Sequence, residues 1–204
     1  MAQLSKREQL LKAAVTLFSR KGFHGVGIDA ISEKAGVTKK TLYHHFKSKE
    51  ELILATLRYY DERFRNEFMK AVETRATDPV ERLLVVFDIF EEWFRKDDFY
   101  GCMFVGAMGE FPDEGAPIRN FCQEAKGLML GYIKNLIEKT QLQKADQLSE
   151  HIILLLEGAI TMAQVKNSPF SAVYAKQAVE VLIRDLQASA TKSQQSKSTP
   201  FATG

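Results

Sequence analysis

Apolar residues recur along this chain with helical spacing almost from end to end. Leu10, Ala14, Leu17 and Phe18 stand at i, i+4, i+7 and i+8, just after Ser5-Lys-Arg-Glu8. In that tetrapeptide the serine hydroxyl and the glutamate carboxylate can each satisfy a backbone N–H at the start of a helix. Gly22 ends this first predicted helix. Ile28, Ile31 and Ala35 share one face of a short second helix that stops at Gly36, and a third begins near Thr38 with Leu42 and Phe46 turned inward. Ser48-Lys-Glu-Glu51 repeats the capping pattern and opens a long fourth helix to about Arg75, with Tyr60, Phe64 and Phe68 four residues apart.

Longer elements follow. Asp78-Pro79 joins an N-cap to a proline at the first helical position and starts a helix to about Arg95. Tyr100-Gly101 separates it from a short helix, Met103–Glu110, and FPDEGAP at 111–117 reads as a loop. Helices over roughly 117–140, 145–165 and 170–188 complete the pattern, the last preceded by Asn167-Ser168-Pro169. No strand alternation and no internal repeat emerges. Residues 189–204, rich in Ser, Thr, Lys and Gln, are expected to be disordered. The fold expected is all-α, about nine helices.

Composition changes the picture at one end. A chain of 204 residues with 45% apolar content can bury a core. Its 28 basic and 26 acidic residues nearly cancel, but residues 1–50 carry ten Lys/Arg against four acids, and the rest eighteen against twenty-two. A basic head on a mildly acidic body points to a polyanion as the partner of the head. Cys102 and Cys122 are too few for a disulfide framework or a four-thiolate zinc site. They are expected in the core, since no basic cluster in the sequence is near enough to lower a thiol pKa. The N-terminus has no signal-like apolar segment, and the longest aliphatic run, Ile152–Leu156, is too short for a bilayer. A cytoplasmic protein with no membrane role is expected.

The head holds the informative stretch. Residues 36–52 read GVTKKTLYHHFKSKEEL. Two short helices joined by Ala-Gly-Val-Thr describe a helix-turn-helix, with Gly36 free to take positive φ in the turn. On the third helix Lys39, Tyr43 and Lys47 fall at i, i+4 and i+8, and Lys40 and His44 at i, i+4. Such a face can enter a major groove, where lysines reach bases or phosphates and the tyrosine hydroxyl and histidine N–H groups donate to phosphate oxygens. Lys49 and the N–H groups opening the fourth helix add a phosphate site. A metal site at His44-His45 fails on geometry: neighbours in a helix point about 100° apart, whereas a helical zinc pair is spaced i, i+4.

Gly22-Phe23, Ile31, Ala35-Gly36-Val37-Thr38, Thr41-Leu42-Tyr43, His45-Phe46 and Lys49-Glu50-Glu51-Leu52 together resemble the TetR family of transcriptional regulators, in register across residues 10–57. The resemblance implies a homodimer in which three N-terminal helices (residues 1–50) bind double-stranded operator DNA. A larger helical domain (51–188) would bind a small molecule and dimerise. It also implies that Thr38, Lys39, Lys40, Thr41, Tyr43, His44, His45 and Lys49 occupy the DNA-touching positions. Two departures stand out: Gly27 replaces the usual Ser/Thr cap of the second helix, and Ser32 replaces the usual alanine.

In the body, Phe87, Phe90, Trp93, Phe94, Phe104, Met108, Phe111, Met129 and Tyr132 are the expected effector-binding residues. Aromatic and methionine side chains of this kind either fill a core or line an apolar cavity, and the resemblance favours the cavity. A hydrophobic or aromatic effector is expected; a cationic one requires Glu91, Glu92 or Glu110 to face inward. Glu110, Asp113 and Glu114 otherwise read as solubilising a loop. Leu148, Ile152, Leu155, Leu156 and Ala159, with Gly158 beside them, form one stripe. Ala175, Ala178, Val179, Leu182, Ile183 and Leu186 form another. Paired about a two-fold axis, these would make a four-helix dimer interface, with intramolecular core as their other use. The function expected is a repressor released from a palindromic operator by its effector. An activator or global regulator of the same fold, or a ligand-binding protein without a DNA role, are the alternatives. No cofactor fingerprint, metal-ligand spacing or catalytic constellation is visible, and an enzyme is not expected.

Overall fold

The computed structural model describes residues 4–140, 142 and 144–197, and among these it has nine α-helices and no strand. They are α1 (Lys6–Lys21), α2 (Ile28–Ala35), α3 (Lys39–His45), α4 (Lys49–Arg75), α5 (Pro79–Phe94), α6 (Met103–Glu110), α7 (Pro117–Glu138), α8 (Ala145–Lys166) and α9 (Phe170–Lys197). The local signals act as anticipated. Ser5 and Glu8 cap each other at α1, Asp78 accepts from the N–H groups of Val80 and Glu81, and Gly36 ends α2 in the left-handed region at φ 64°. α9 departs from expectation by continuing to Lys197 rather than 188; the remainder of the tail expected to be disordered, 198–204, lies outside the described residues. Ala, Gln and Lys between 187 and 197 are good helix formers, which explains why polar composition alone did not end the helix.

Two compact units divide the chain: residues up to Lys70 with Lys96–Met129, and Ala71–Arg95 with the described residues from Leu130 onward. In the first, Leu10, Ala14, Phe18, Phe23, Ile31, Leu42, Phe46 and Leu52 from the head share one buried core with Met103, Phe104 and Ala107 of α6 and Cys122 of α7. The helix-turn-helix is therefore packed on α6 and the start of α7. Burial pushes the Cys122 thiol up to about 11, helped by Cys102 nearby and opposed by Lys126, in keeping with an inert core residue.

In the second unit α5, α8 and α9 pack on one another. Leu83, Val86, Phe87 and Phe90 of α5 meet Ile152, Leu156 and Ala163 of α8 and Ala172, Val179 and Ile183 of α9 in being buried. Lys176 of α9 bonds both carboxylate oxygens of Asp88 on α5, at 2.7 and 2.8 Å. The stripes expected to face a second subunit lie mostly inside: Leu148, Ile152, Leu156, Ala159, Ala175, Val179 and Ile183 are all buried. A different face of the same helices is left apolar and open, carrying Leu154, Met162 and Val165 on α8 and Phe170, Tyr174 and Val181 on α9. By length and composition α8 is apolar enough to cross a membrane, which the five-residue run Ile152–Leu156 did not register. Its two apolar faces, one buried against α9 and α5 and one open, account for that composition.

Candidate nucleic-acid interface

α3 is held from behind by two side chains. Leu42 and Phe46 are 0% and 1% exposed. Burying residues of this size contributes about 2 kcal/mol each, enough to fix which face of a seven-residue helix looks out. At its N-terminus the Thr38 hydroxyl accepts from the Thr41 N–H at 3.1 Å, and the two threonine hydroxyls lie 2.9 Å apart. Lys39, Lys40, Tyr43 and His44 are exposed, while Thr41, His45 and Lys49 are half-buried. The His45 ring sits 5.3 Å from that of His44, edge to face, and 6.3 Å from that of Phe46. The Arg7 guanidinium lies over the other aromatic neighbour, 5.4 Å from the Phe46 centroid.

One of these lysines is already engaged. Lys39 Nζ is 3.0 Å from a carboxylate oxygen of Asp29 on α2, which raises its pKa through that hydrogen bond and charge. Lys49 Nζ donates to the His24 carbonyl at 3.4 Å. The Ser48 hydroxyl accepts from the Glu51 N–H at 3.1 Å, and the Glu51 carboxylate accepts from Lys47 N–H at 2.7 Å, one residue earlier than a standard capping box. At α2 the two departures have consequences. Gly27 caps the helix without any side-chain hydrogen bond, and space is open around the position of its missing Cβ. The Ser32 hydroxyl is buried with no hydrogen-bond partner among the described residues. No cluster of three metal-ligating side chains occurs among the described residues.

His24, Asp29 and Glu110 join the site through contacts that no local sequence pattern announces. Glu110 ends α6 as expected, but rather than only solubilising the loop after it, its carboxylate bonds the turn between α1 and α2, 86 and 87 residues away. Burial opposes its ionisation, but the N–H groups of His24 and Phe23 and the His24 ring outweigh it and hold the carboxyl below the usual glutamate range. No local pattern announces a contact over that separation. The residues expected to bind an effector fall into both units. Phe87, Phe90 and Phe94 are buried, and Trp93 and Tyr132 half-buried, in the second unit; Phe90 lies 5.7 Å from Trp93 and 6.0 Å from Phe94. Phe104 is buried, and Met108, Phe111 and Met129 half-buried, in the first, where Phe104 lies 5.7 Å from Tyr60 and Phe111 packs on His24 at 4.8 Å. Burial pushes the Tyr132 hydroxyl up to about 12, with Glu73 adding to the shift and Arg82 opposing it. Glu91 bonds Arg95 and Glu92 bonds Arg75, so neither carboxylate stands uncompensated. A groove of about 310 Å³ lies elsewhere, between α8 and α9, lined by Leu154, Gly158, Met162 and Tyr174 among others.

Comparison with known proteins adds an independent finding. The family model for "Bacterial regulatory proteins, tetR family" matches residues 10–56, and that for "Tetracyclin repressor-like, C-terminal domain" matches residues 79–179. The chain is 38% identical over 92 residues to the HTH-type transcriptional activator FasR of Mycolicibacterium smegmatis, covering 45% of this chain and 42% of that one. It is 35% identical over 83 residues to the HTH-type transcriptional repressor KstR2 of the same organism, covering 41% and 40%. The match thus spans about two fifths of the length of each of these relatives. A crystal structure of a TetR-family transcriptional regulator from Streptomyces coelicolor superposes with a TM-score of 0.83 at 28% identity, over 89% of this chain and 95% of that one.

Proposed function

We propose that this chain, which belongs to the TetR family of bacterial regulators and is a DNA-binding transcriptional regulator, is a homodimeric, cytoplasmic repressor released from a palindromic operator by a small hydrophobic or aromatic effector. The reading rests above all on the outward face of α3. Lys40, Tyr43 and His44 are exposed on a helix that Leu42 and Phe46 pin from behind. Lys40 supplies charge toward bases or phosphates. Tyr43 and the histidines donate to phosphate oxygens, and Thr38, Thr41, Lys39 and Lys49 fix the register at either end.

The open apolar face of α8 and α9 supports the dimer. Leu154, Gly158, Met162 and Val165 follow one another at spacings of four, four and three, and Phe170 and Tyr174 at four, so each helix presents a single strip. Leu154 and Val165 are 72% and 73% exposed in a single chain, and a two-fold related copy would cover both strips. Relatives named as an activator and as a repressor leave the sign of regulation to the family resemblance, which favours repression. The aromatic and methionine residues of the body favour an apolar effector, and the pairing of Glu91, Glu92 and Glu110 removes the carboxylates that a cationic one requires. The effector must bind the DNA-competent and DNA-incompetent states with different affinity, and that difference bounds how far it can shift the population.

Enrichment of duplexes from a random pool by the purified protein, followed by gel shift with Tyr43→Phe and Lys40→Ala, tests the reading. Both variants should bind the enriched duplex more weakly than the parent. Equal affinity in all three would remove α3 as the docking element.

A further inference from the structure

The end of α6 grips the turn between α1 and α2. Glu110 Oε1 accepts from the Phe23 N–H at 2.8 Å, and Oε2 accepts from the His24 N–H at 2.6 Å and lies 2.9 Å from His24 Nδ1. Two successive N–H groups converging on one carboxylate make an anion nest filled by a side chain of the same unit. Gly22 makes room for it: its φ is +75°, and a Cβ there would come 2.7 Å from Oε1. Phe111, the next residue, lies 4.8 Å from the His24 ring and 6.1 Å, edge-on, from that of Phe23.

What the grip acts on is a glycine-rich segment whose own anchors are two buried side chains. Between α1 and α2 the chain reads GFHGVG, with three glycines and only Phe23 and Val26 buried. On its far side the His24 carbonyl accepts from Lys49 Nζ at 3.4 Å. A single residue, His24, therefore connects the Glu110 carboxylate to the ammonium group placed at the start of α4 for a DNA phosphate. The same segment leads straight into α2, against which α3 is packed.

We propose that Glu110 is a positioning residue for DNA recognition: it holds the His24 segment so that Lys49 meets its phosphate in fixed register with α3. This rests on the docking face given under Proposed function. A rearrangement of α6 would then reach the DNA-contacting groups through His24 rather than through the hydrophobic core alone.

The probe is a duplex enriched from a random pool by the unaltered protein. Glu110→Gln keeps the shape and removes the charge; it should weaken binding at least fivefold with helicity and subunit association unchanged. Lys49→Ala should cost much less in the Glu110→Gln background than in the parent, by threefold or more, because the variant has already released Lys49 from its register. The Phe23 and His24 amide protons should also move upfield when the charged acceptor goes. A role in stability alone lowers the melting temperature but leaves affinity intact at temperatures where the variant is folded. That result, or an additive cycle, overturns the proposal. Should Glu110→Gln not fold, Phe111→Leu loosens the same grip and should show the same non-additivity with Lys49→Ala. A parent protein that enriches no duplex removes the docking face and this proposal together; a binding parent with an additive cycle removes Glu110 alone.

Discussion

Asp29 on α2 and Lys39 at the start of α3 form an ion pair across the helix-turn-helix, carboxylate oxygen to ammonium nitrogen 3.0 Å. Both side chains are largely exposed, so the pair is worth little to the fold, and under the docking proposed for α3 its weight falls on how Lys39 meets DNA. A phosphate must displace or share Asp29. Replacing Asp29 with Asn should therefore raise non-specific DNA affinity severalfold and steepen the dependence of log K on log salt by about one. A loss of affinity would mean instead that Asp29 aims Lys39 at its target.

The two departures in α2 make opposite faults that single substitutions can mend. Ser32→Ala removes a buried hydroxyl that lacks a partner among the described residues and should stabilise the protein by about 1 kcal/mol in urea unfolding. Gly27→Ser should add a few tenths of a kcal/mol by capping, since nothing would crowd a Cβ there, and under the proposed docking its new hydroxyl at the start of α2 should also tighten DNA binding. A Gly27→Ser protein that is more stable but binds DNA no better would separate capping from contact.

Glu110 sets an acid limit. Burial raises its pKa, but the His24 and Phe23 N–H groups and the His24 ring lower it more, so the folded-state value lies below that of the unfolded chain. A carboxylate of this kind contributes stability that is present above the unfolded pKa and lost as pH falls through the folded one. The stability gap between the parent and Glu110→Gln should thus close as pH falls below the ordinary glutamate pKa of about 4.3. Equilibrium unfolding of both proteins across that range checks it, and a gap that widens on acidification contradicts it.

The apolar strip of α8 and α9 should answer to charge. Leu154→Asp or Tyr174→Asp puts a carboxylate on an exposed position and leaves the buried stripe intact, so it should yield folded monomers by sedimentation with weakened operator binding. Ile152→Asp, buried, should instead unfold the body. Monomers from neither exposed variant would show that the strip is not the interface.

Much of this fold is legible in the sequence because its signals are local. The spacing of Leu10 to Phe18, the caps at Ser5, Thr38 and Asp78, and Gly36 at positive φ each act within one or two turns of chain, and the structure uses them as expected. The outward face of α3 follows from the same logic, because Leu42 and Phe46, four residues apart, both turn inward. Two things were not legible. α8 is apolar on two faces, and periodicity alone does not say that Leu148, Ile152 and Leu156 turn inward while Leu154, Met162 and Val165 stay open. Nor does any local pattern bring Glu110 to His24, because an acidic residue before a proline-containing loop looks the same whether it meets water or a distant backbone.

The central claim, that a dimer presents two α3 helices to one face of DNA, is tested most directly by a hydroxyl-radical footprint of the protein on a duplex enriched from a random pool. Two protected patches of dyad-related sequence are expected, roughly 34–36 Å apart along the helix axis, both lost with Tyr43→Phe or Lys40→Ala. A single patch without dyad symmetry, or two patches indifferent to those substitutions, would contradict it.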